Sequence, residues 1–402
     1  MIEERLRSKL SAAKNVLVLA TGGGNDSVSS LMLARQLRED FGFDPERLTV
    51  AAMLPDGVDY KDINTTGHPL ILEISSITSR WINKKKVEAF PEPLLAEFGG
   101  SLGVDRVVGL DMIQGSIGVA KALYRLISTE KFDTVLAVDV GGDFISVPEN
   151  QGVMSPMMDA YALYALKGAI SSLPAVNFVF AVFGLGTDGE STSEMLEKSL
   201  EQFDEIYQGT LAPSPDVNEA IKFYEEVIAP NRPSRTAGLT IQSIRGFPIH
   251  RFEYEFRDRF HTEPMPGDVR THYAIFKHIL DEEHTAKYYL FDRLWDIKNP
   301  FAVPTNSSLE WFKAVQELGD KLNHELNGQT INYEGEKLHF GTPPRRFEGT
   351  QRATIVNEIL DSIYNGVNKR VYMYHDDIKD LNTSGLTATQ EGKLALVTYE
   401  SN

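Results

Sequence analysis

The chain has 402 residues, of which 42% are hydrophobic and 24% charged, a balance typical of a globular protein with a large buried core. Its formal net charge of −17 disfavours binding to nucleic acid or to an anionic membrane, because both need clustered Lys and Arg. The absence of cysteine excludes disulfides, thiolate catalysis and Cys-ligated metal centres. Since no apolar run reaches the roughly 18–20 residues of a membrane span, we expect a cytoplasmic protein with neither nucleic acid nor membrane as partner.

The first half of the chain alternates apolar segments typical of strands with segments typical of helices. These strand segments are rich in Val, Leu, Ile and Phe with little polar alternation, as expected of strands covered on both faces. The alternation predicts an α/β fold with a doubly wound, mostly parallel sheet of the Rossmann-like type. Strands are predicted at residues 15–20, 48–54, 69–74, 133–139 and 176–184, and helices at 27–40, 117–129 and 155–173.

The pattern changes at residues 212–215, whose sequence Ala-Pro-Ser-Pro marks a boundary. We predict an α/β ligand-binding core over residues 1–212 and a mixed α+β region over 213–402, packed on that core. The second region is expected to be largely helical. Its helices are predicted at residues 216–228, 270–283, 309–326 and 351–364, and one hairpin strand at 249–256.

The first candidate site is the glycine loop that follows the strand at 15–20. Glycines let backbone N–H groups approach a phosphate, and the start of the next helix adds partial positive charge. The alternative is a turn that only closes the strand, with Asp26 capping the helix. We predict that the loop binds a small phosphorylated ligand or a nucleotide such as ATP, through Thr21, Gly22, Gly23, Gly24, Asn25, Asp26 and Ser27.

The second candidate site follows the strand at 133–139, where Asp139 and Asp143 flank Gly141 and Gly142. Ligands bind at the carboxyl ends of strands in open α/β sheets, and paired carboxylates suit Mg²⁺ or a pair of sugar hydroxyls. We predict Asp26, Asp139 and Asp143 as Mg²⁺ ligands, Asp143 as catalytic, and the two glycines as ligand contacts. Residues 155–159 bring further polar groups to the next helix start. The alternative assigns Asp143 to turn formation.

Two more loops combine glycine with acidic residues. In the loop after the strand at 176–184, Gly186 is predicted to contact the ligand and Asp188 or Glu190 to act as a general base. A capping box at the next helix is the competing explanation. Asp111, in the loop before the helix at 117–129, is a further predicted ligand contact. We expect all four loops to lie at one edge of one sheet.

These motifs resemble two families. Residues 23–27, Gly-Gly-Asn-Asp-Ser, resemble the pyrophosphate loop of ATP pyrophosphatases, with Gly22 where that family has a serine. The stretch from Gly22 to about Glu201 resembles the domain of unknown function 1152 family, through the motifs at 22–26, 138–143, 155–160 and 184–190. This second resemblance supports the fold and the site but implies no reaction.

The residues leave three functions open. The first is an enzyme that binds a nucleotide or phosphorylated metabolite and carries out Mg²⁺-assisted nucleotidyl transfer or phosphate-ester hydrolysis. The second is a non-catalytic nucleotide-binding or sensor protein that uses the same loops. The third is a structural oligomer in which the loops only shape the fold, and a homo-oligomer is the one protein partner that we expect.

Overall fold

The computed structural model describes the N-terminal half of the chain almost continuously and the C-terminal half in separate pieces. The described residues are 2–24, 26–54, 59–82, 85–87, 91–145, 157–187, 193–212, 217–230, 241, 244–245, 287–291, 294–307, 310–311, 314, 370–374, 386–391 and 394–399.

Within these residues the chain forms seven α-helices and fifteen strands. The helices are α1 (Ile2–Ser11), α2 (Asp26–Phe41), α3 (Pro91–Phe98), α4 (Gly115–Glu130), α5 (Met157–Ser172), α6 (Ser193–Gln202) and α7 (Asn218–Phe223). The strands are β1 (Asn15–Ala20), β2 (Arg47–Leu54), β3 (Asp59–Lys61), β4 (Asn64–Thr65), β5 (Ile71–Ile74), β6 (Ser79–Ile82), β7 (Lys85–Val87), β8 (Val104–Asp111), β9 (Thr134–Val140), β10 (Asn177–Phe183), β11 (Tyr207–Leu211), β12 (Tyr288–Phe291), β13 (Arg370–Tyr374), β14 (Leu386–Glu391) and β15 (Leu394–Tyr399).

A nine-stranded sheet organises the described part of the chain, in the order β11-β12-β10-β9-β1-β2-β8-β5-β4. The five central strands β10, β9, β1, β2 and β8 are all parallel. The predicted parallel neighbours at 15–20, 133–139 and 176–184 are confirmed, since β9 pairs with β1 on one side and with β10 on the other. The chain runs from β1 outward to β2 and β8, then returns to the other side of β1 for β9 and β10.

The sheet is doubly wound because its strands are apolar on both faces. Successive residues of β1 point to opposite sides, with Leu17 and Leu19 in one hydrophobic cluster and Val16 and Val18 in the other. Helices α4 and α5 cover the first side, and α2 and α7 cover the second. The predicted α/β fold is therefore confirmed.

Strand β8 was not predicted from the sequence, because it carries charge where a buried strand should be apolar. Its residue Arg106 bonds the carboxylate of Glu73 through two nitrogens, at 2.6–2.8 Å, and lies 3.1 Å from Glu130. The pKa of Arg106 is raised chiefly by its hydrogen bond to Glu73. The strand predicted at 69–74 exists as β5 but pairs antiparallel with β8.

The C-terminal half contributes to the same sheet. Strand β12 lies between β10 and β11 and is antiparallel to both. Strands β13, β15 and β14 form a separate antiparallel sheet. The division at residue 212 stays a prediction.

Of the predicted C-terminal helices, the one at 216–228 is present as α7 and a π-helical turn, Tyr224–Ile228. Residues 310, 311 and 314 of the one at 309–326 are helical. The helices at 270–283 and 351–364 and the strand at 249–256 lie outside the described residues. Among the helices described, none is long and apolar enough to cross a membrane.

Candidate functional site

The candidate site lies where the strand order reverses, between the carboxyl ends of β1 and β9. The glycine loop leaves β1 there, and the backbone N–H of Thr21 still bonds the carbonyl of Val138 on β9, at 3.1 Å. Crevices at such reversal points are the usual ligand-binding positions in open α/β sheets. The topology therefore favours the same edge of the sheet that the loop motifs predict.

Three carboxylates meet at this point, and we call Asp26, Asp139 and Asp159 the acidic triad. One oxygen from each carboxylate lies within 4.8 Å of the corresponding oxygen of the other two. Asp139 and Asp159 are buried, whereas Asp26 is partly exposed. The three come from different elements: the first residue of α2, the end of β9 and the first turn of α5.

Hydrogen bonds from neighbouring loops orient each carboxylate of the triad. Oδ2 of Asp26 accepts from the backbone N–H of Gly22 at 2.8 Å, and Oδ2 of Asp139 accepts from that of Phe144 at 3.2 Å. The hydroxyl of Thr21 lies 2.7 Å from Oδ1 of Asp159 and 3.1 Å from the carbonyl oxygen of Val138. The glycine loop is therefore part of the structure that holds the triad together.

Glycine is required in this loop for steric reasons. A Cβ on Gly22 would lie 2.7 Å from Oδ2 of Asp26 and 3.2 Å from Oδ2 of Asp159. Any side chain at this position would therefore push the two carboxylates away from the glycine loop. Gly23 has a positive φ of 70°, and its Cβ would lie 2.6 Å from the carbonyl oxygen of Met53. The glycines thus allow close approach between parts of the protein itself.

The amides of the glycine loop already have acceptors within the protein. Besides the bond from Gly22 to Asp26, Gly23 N–H donates to the carbonyl of Ala20 at 3.3 Å. Gly24 N–H donates to Oε1 of Glu92 at 2.6 Å, and the Ser27 hydroxyl lies 3.2 Å from the same oxygen. A buried carboxylate from α3 thus lies at the start of α2. A phosphate bound directly to these amides would have to displace Asp26 and Glu92.

We expect Glu92→Ala to lower the free energy of unfolding by about 2–3 kcal/mol, because one buried donor, Ser27, and one part-buried donor, Gly24, lose a charged acceptor. Urea unfolding of the ligand-free protein measures the effect. Glu97→Ala is the control, since Glu97 is an exposed residue of the same helix and should change stability by less than about 0.5 kcal/mol. Equal effects of the two substitutions would contradict a structural role for the Glu92 contacts.

The carboxylate oxygens of the triad are suitable ligands for a hard divalent cation. Carboxylate oxygens are the protein ligands that Mg²⁺ and Ca²⁺ prefer. Oxygens on opposite sides of a Mg²⁺ ion are about 4.2 Å apart, since each Mg–O distance is about 2.1 Å. The triad oxygens lie within 4.8 Å of one another, so at most a small shift of the side chains would bring all three to one ion. Three carboxylates this close repel one another, and a cation would remove the repulsion.

Comparison with known proteins places this site within a family. A family model described as a protein of unknown function (DUF1152) matches residues 17–247, more than half of the chain. The chain belongs to the DUF1152 family. No significant match to a curated protein or to a solved structure was found. The DUF1152 match includes the glycine loop, Glu92 and the whole acidic triad, and it ends before β12.

Within the DUF1152 region, the structure brings some of the predicted site residues together. Asp26 and Asp139, two of the three predicted metal ligands, belong to the triad. Gly141 and Gly142, both with positive φ, follow β9, and Gly186 N–H bonds the carbonyl of Gly141 at 2.7 Å. Asp143 begins a short 3₁₀ turn, Asp143–Ile145, but only its backbone is described. Asn25, Asp188 and Glu190 lie outside the described residues.

Asp111 lies at the same edge of the sheet as the triad but further along that edge. It ends β8, and strand β2 lies between β8 and β1. Its Oδ1 accepts from the backbone N–H of Ile113 at 3.0 Å, as in a turn-forming aspartate. Its role as a ligand contact stays a prediction.

The sequence did not identify two residues of this site, Asp159 and Glu92. Asp159 is one of the polar groups that the sequence places at a helix start within residues 155–159, and it lies in the first turn of α5. An acid in the first turn of a helix is a usable signal. Glu92 offers no such signal, because the sequence did not predict its helix. It lies in the first turn of a short helix, α3, 65 residues beyond its partner Ser27, and only the folded chain brings the two together.

Proposed function

We propose that this DUF1152 protein binds a divalent cation, Mg²⁺, at the acidic triad and, through the cation, a phosphate group of a nucleotide or phosphorylated metabolite. One observation carries the proposal: three carboxylates from three elements converge within 4.8 Å at the reversal point of a parallel sheet. The hydrogen bonds from Thr21, Gly22 and Phe144 orient these carboxylates but leave the repulsion between their charges. A cation site needs that arrangement.

The charge of the protein explains why phosphate would need a cation here. The chain carries a net charge of −17, and the triad adds local negative charge where the phosphate would bind. The amides of the glycine loop donate to Asp26, Ala20 and Glu92. Phosphate binding through a cation leaves those bonds intact. Phosphate binding to the amides would break the bonds to the carboxylates of Asp26 and Glu92. The proposal therefore assigns phosphate recognition to the cation.

The reaction that such a site supports best is phosphate-ester hydrolysis or nucleotidyl transfer. A bound Mg²⁺ ion supplies charge neutralisation for the phosphoryl oxygens. Asp26, Asp139 and Asp159 would hold the ion, and Thr21 would keep Asp159 in place. The general base is assigned from the sequence to Asp188 or Glu190, and Asp143 remains a further candidate ligand.

Cation binding is tested first, without any phosphorylated ligand. Protein freed of metal with a chelator is melted with and without Mg²⁺, Mn²⁺ or Ca²⁺. We expect Mg²⁺ or Mn²⁺ to raise Tm, because a ligand at 100 times its Kd adds about 2.7 kcal/mol of stability. The absence of any rise with all three ions would contradict the proposal.

The phosphorylated ligand is tested second. A panel of nucleotides, sugar phosphates and inorganic pyrophosphate is screened by thermal shift with and without Mg²⁺. We expect a further rise in Tm only where Mg²⁺ is present, and release of phosphate or pyrophosphate from the compound that binds best. Binding without turnover would favour the sensor alternative. Binding that is independent of Mg²⁺ would favour direct contact with the glycine loop.

A further inference from the structure

A segment from beyond the DUF1152 match lies against the candidate site. We call residues 294–307 the C-terminal segment; it follows β12 and contains the sequence Asn-Pro-Phe-Ala-Val-Pro-Thr at 299–305. Its residues Ile297 and Phe301 are buried in the same hydrophobic cluster as α4 and α5. Lys167 of α5 also bonds the carbonyl of Ile297. The segment is therefore an integral part of the folded core.

The C-terminal segment reaches the acidic triad through Asn299. The side-chain amide of Asn299 donates to the carbonyl of Phe144 at 3.0 Å, and the N–H of Phe144 donates to Oδ2 of Asp139 at 3.2 Å. All three residues are buried. Phe144 is thus held between the segment on one side and a candidate cation ligand on the other.

Both ends of this connection are fixed by further contacts. Oδ1 of Asn299 accepts from the backbone N–H of Phe301 at 2.8 Å, which holds the side-chain amide in one orientation. The ring of Phe144 stacks on that of Phe180 with a centroid distance of 4.0 Å. Outer partners that fix the ligands of a metal in this way determine its affinity.

A second anchor of the segment lies at the start of α4 and does not touch the triad. The Ser116 hydroxyl donates to the carbonyl of Val303 at 2.6 Å and accepts from the N–H of Thr305 at 2.9 Å. The carbonyl of Thr305 accepts from the N–H of Ile117 at 3.0 Å. This anchor provides a matched control, because breaking it weakens the same segment at a different place.

We infer that Asn299 is a positioning residue for the cation site, and that its bond to Phe144 and cation binding at the acidic triad stabilise each other. The inference rests on the proposed function, because it assumes a cation at the triad. Asn299 acts through Phe144 on Asp139 and does not itself contact the ion. Coupling of this kind is reciprocal, so the cation must also stabilise the docked segment.

The affinity for Mn²⁺, measured by isothermal titration calorimetry, tests the inference in the full-length protein. We expect Asn299→Ala to weaken the affinity about 10-fold, the low end of the 10- to 100-fold range for a direct outer partner of a metal ligand, because Asn299 acts through Phe144. Ser116→Ala should leave the affinity within about two-fold of wild type. Asn299→Ser is the second variant, because a serine can accept from Phe301 N–H but is too short to reach Phe144.

Hydrogen–deuterium exchange provides the reciprocal measurement. Mn²⁺ should slow exchange in peptides that cover residues 297–305 of wild type and of Ser116→Ala, and should do so less in a folded Asn299 variant. If wild type binds none of Mn²⁺, Mg²⁺ and Ca²⁺, the proposed function fails. If wild type binds and a folded Asn299 variant binds equally well, or if Ser116→Ala loses as much affinity, the inference alone is overturned.

Discussion

Replacing Asp159 with asparagine is expected to abolish the rise in Tm that Mg²⁺ produces, while the cation-free protein becomes as stable as wild type or slightly more so. Asparagine has nearly the same shape, and its Oδ1 can still accept from the Thr21 hydroxyl, which lies 2.7 Å from that atom in wild type. The substitution removes one of three mutually repelling charges. It also removes a carboxylate that the cation requires.

Asp133→Asn is the matched control for this experiment. Asp133 lies at the opposite edge of the sheet, where its Oδ2 accepts from the backbone N–H groups of Lys14 and Asn15 at 2.9 and 3.0 Å. Loss of that charge should lower Tm with and without Mg²⁺ and leave the size of the Mg²⁺ shift unchanged. A large loss of stability in cation-free Asp159→Asn, with a normal Mg²⁺ shift, would make Asp159 part of the scaffold.

The largest effect on stability is expected from Gly23→Ala, which should lower the free energy of unfolding by about 3 kcal/mol. A left-handed backbone costs an L-residue about 1–2 kcal/mol, and overpacking adds about 1–3 kcal/mol. At Gly23 the new Cβ would lie 2.6 Å from the carbonyl oxygen of Met53, and a backbone atom of β2 cannot easily move away.

Gly24→Ala separates the two contributions. Gly24 also has a positive φ, of 61°, but an added Cβ would have no atom within 4 Å. We therefore expect a loss of about 1–2 kcal/mol from the backbone conformation alone. Urea unfolding of both variants measures the difference, and equal losses would show that the contact with Met53 relaxes without cost. Gly23→Ala should also weaken Mg²⁺ binding, because it disturbs the loop that holds Asp26.

The sequence predicts the parts of the fold that depend on local pattern. Strands β1 and β9 are apolar on both faces, and each ends in glycines and acids, so their pairing and the position of Asp26 and Asp139 follow from pattern and topology. Strand β8 carries Arg106, whose charge is neutralised by Glu73 from a neighbouring strand. Such compensation between distant residues cannot be read from a single segment.

The residues of the candidate site also divide into those that local sequence pattern predicts and those that depend on distant parts of the chain. Loop composition is enough to predict Asp26 and Asp139, each of which lies two residues from a glycine. Asp159 is harder to assign, because nothing in its own segment shows that α5 starts beside β9. The contacts of Glu92 and Asn299 depend on packing between elements 65 and 155 residues apart in the chain. Sequence pattern therefore predicts where ligands would bind, whereas tertiary packing determines which side chains shape the site.

Because β12 comes late in the chain, one edge of the sheet stays exposed while the protein is being synthesised. β10 is complete at residue 183, but its outer partner β12 is not made until residue 291, about a quarter of the chain later. Until then the open edge of β10, with Phe180 and Phe183, resembles an edge strand able to pair with another chain. A chain cut at residue 247, where the family match ends, would keep that edge permanently open. The sheet thus extends beyond the limit of the family match.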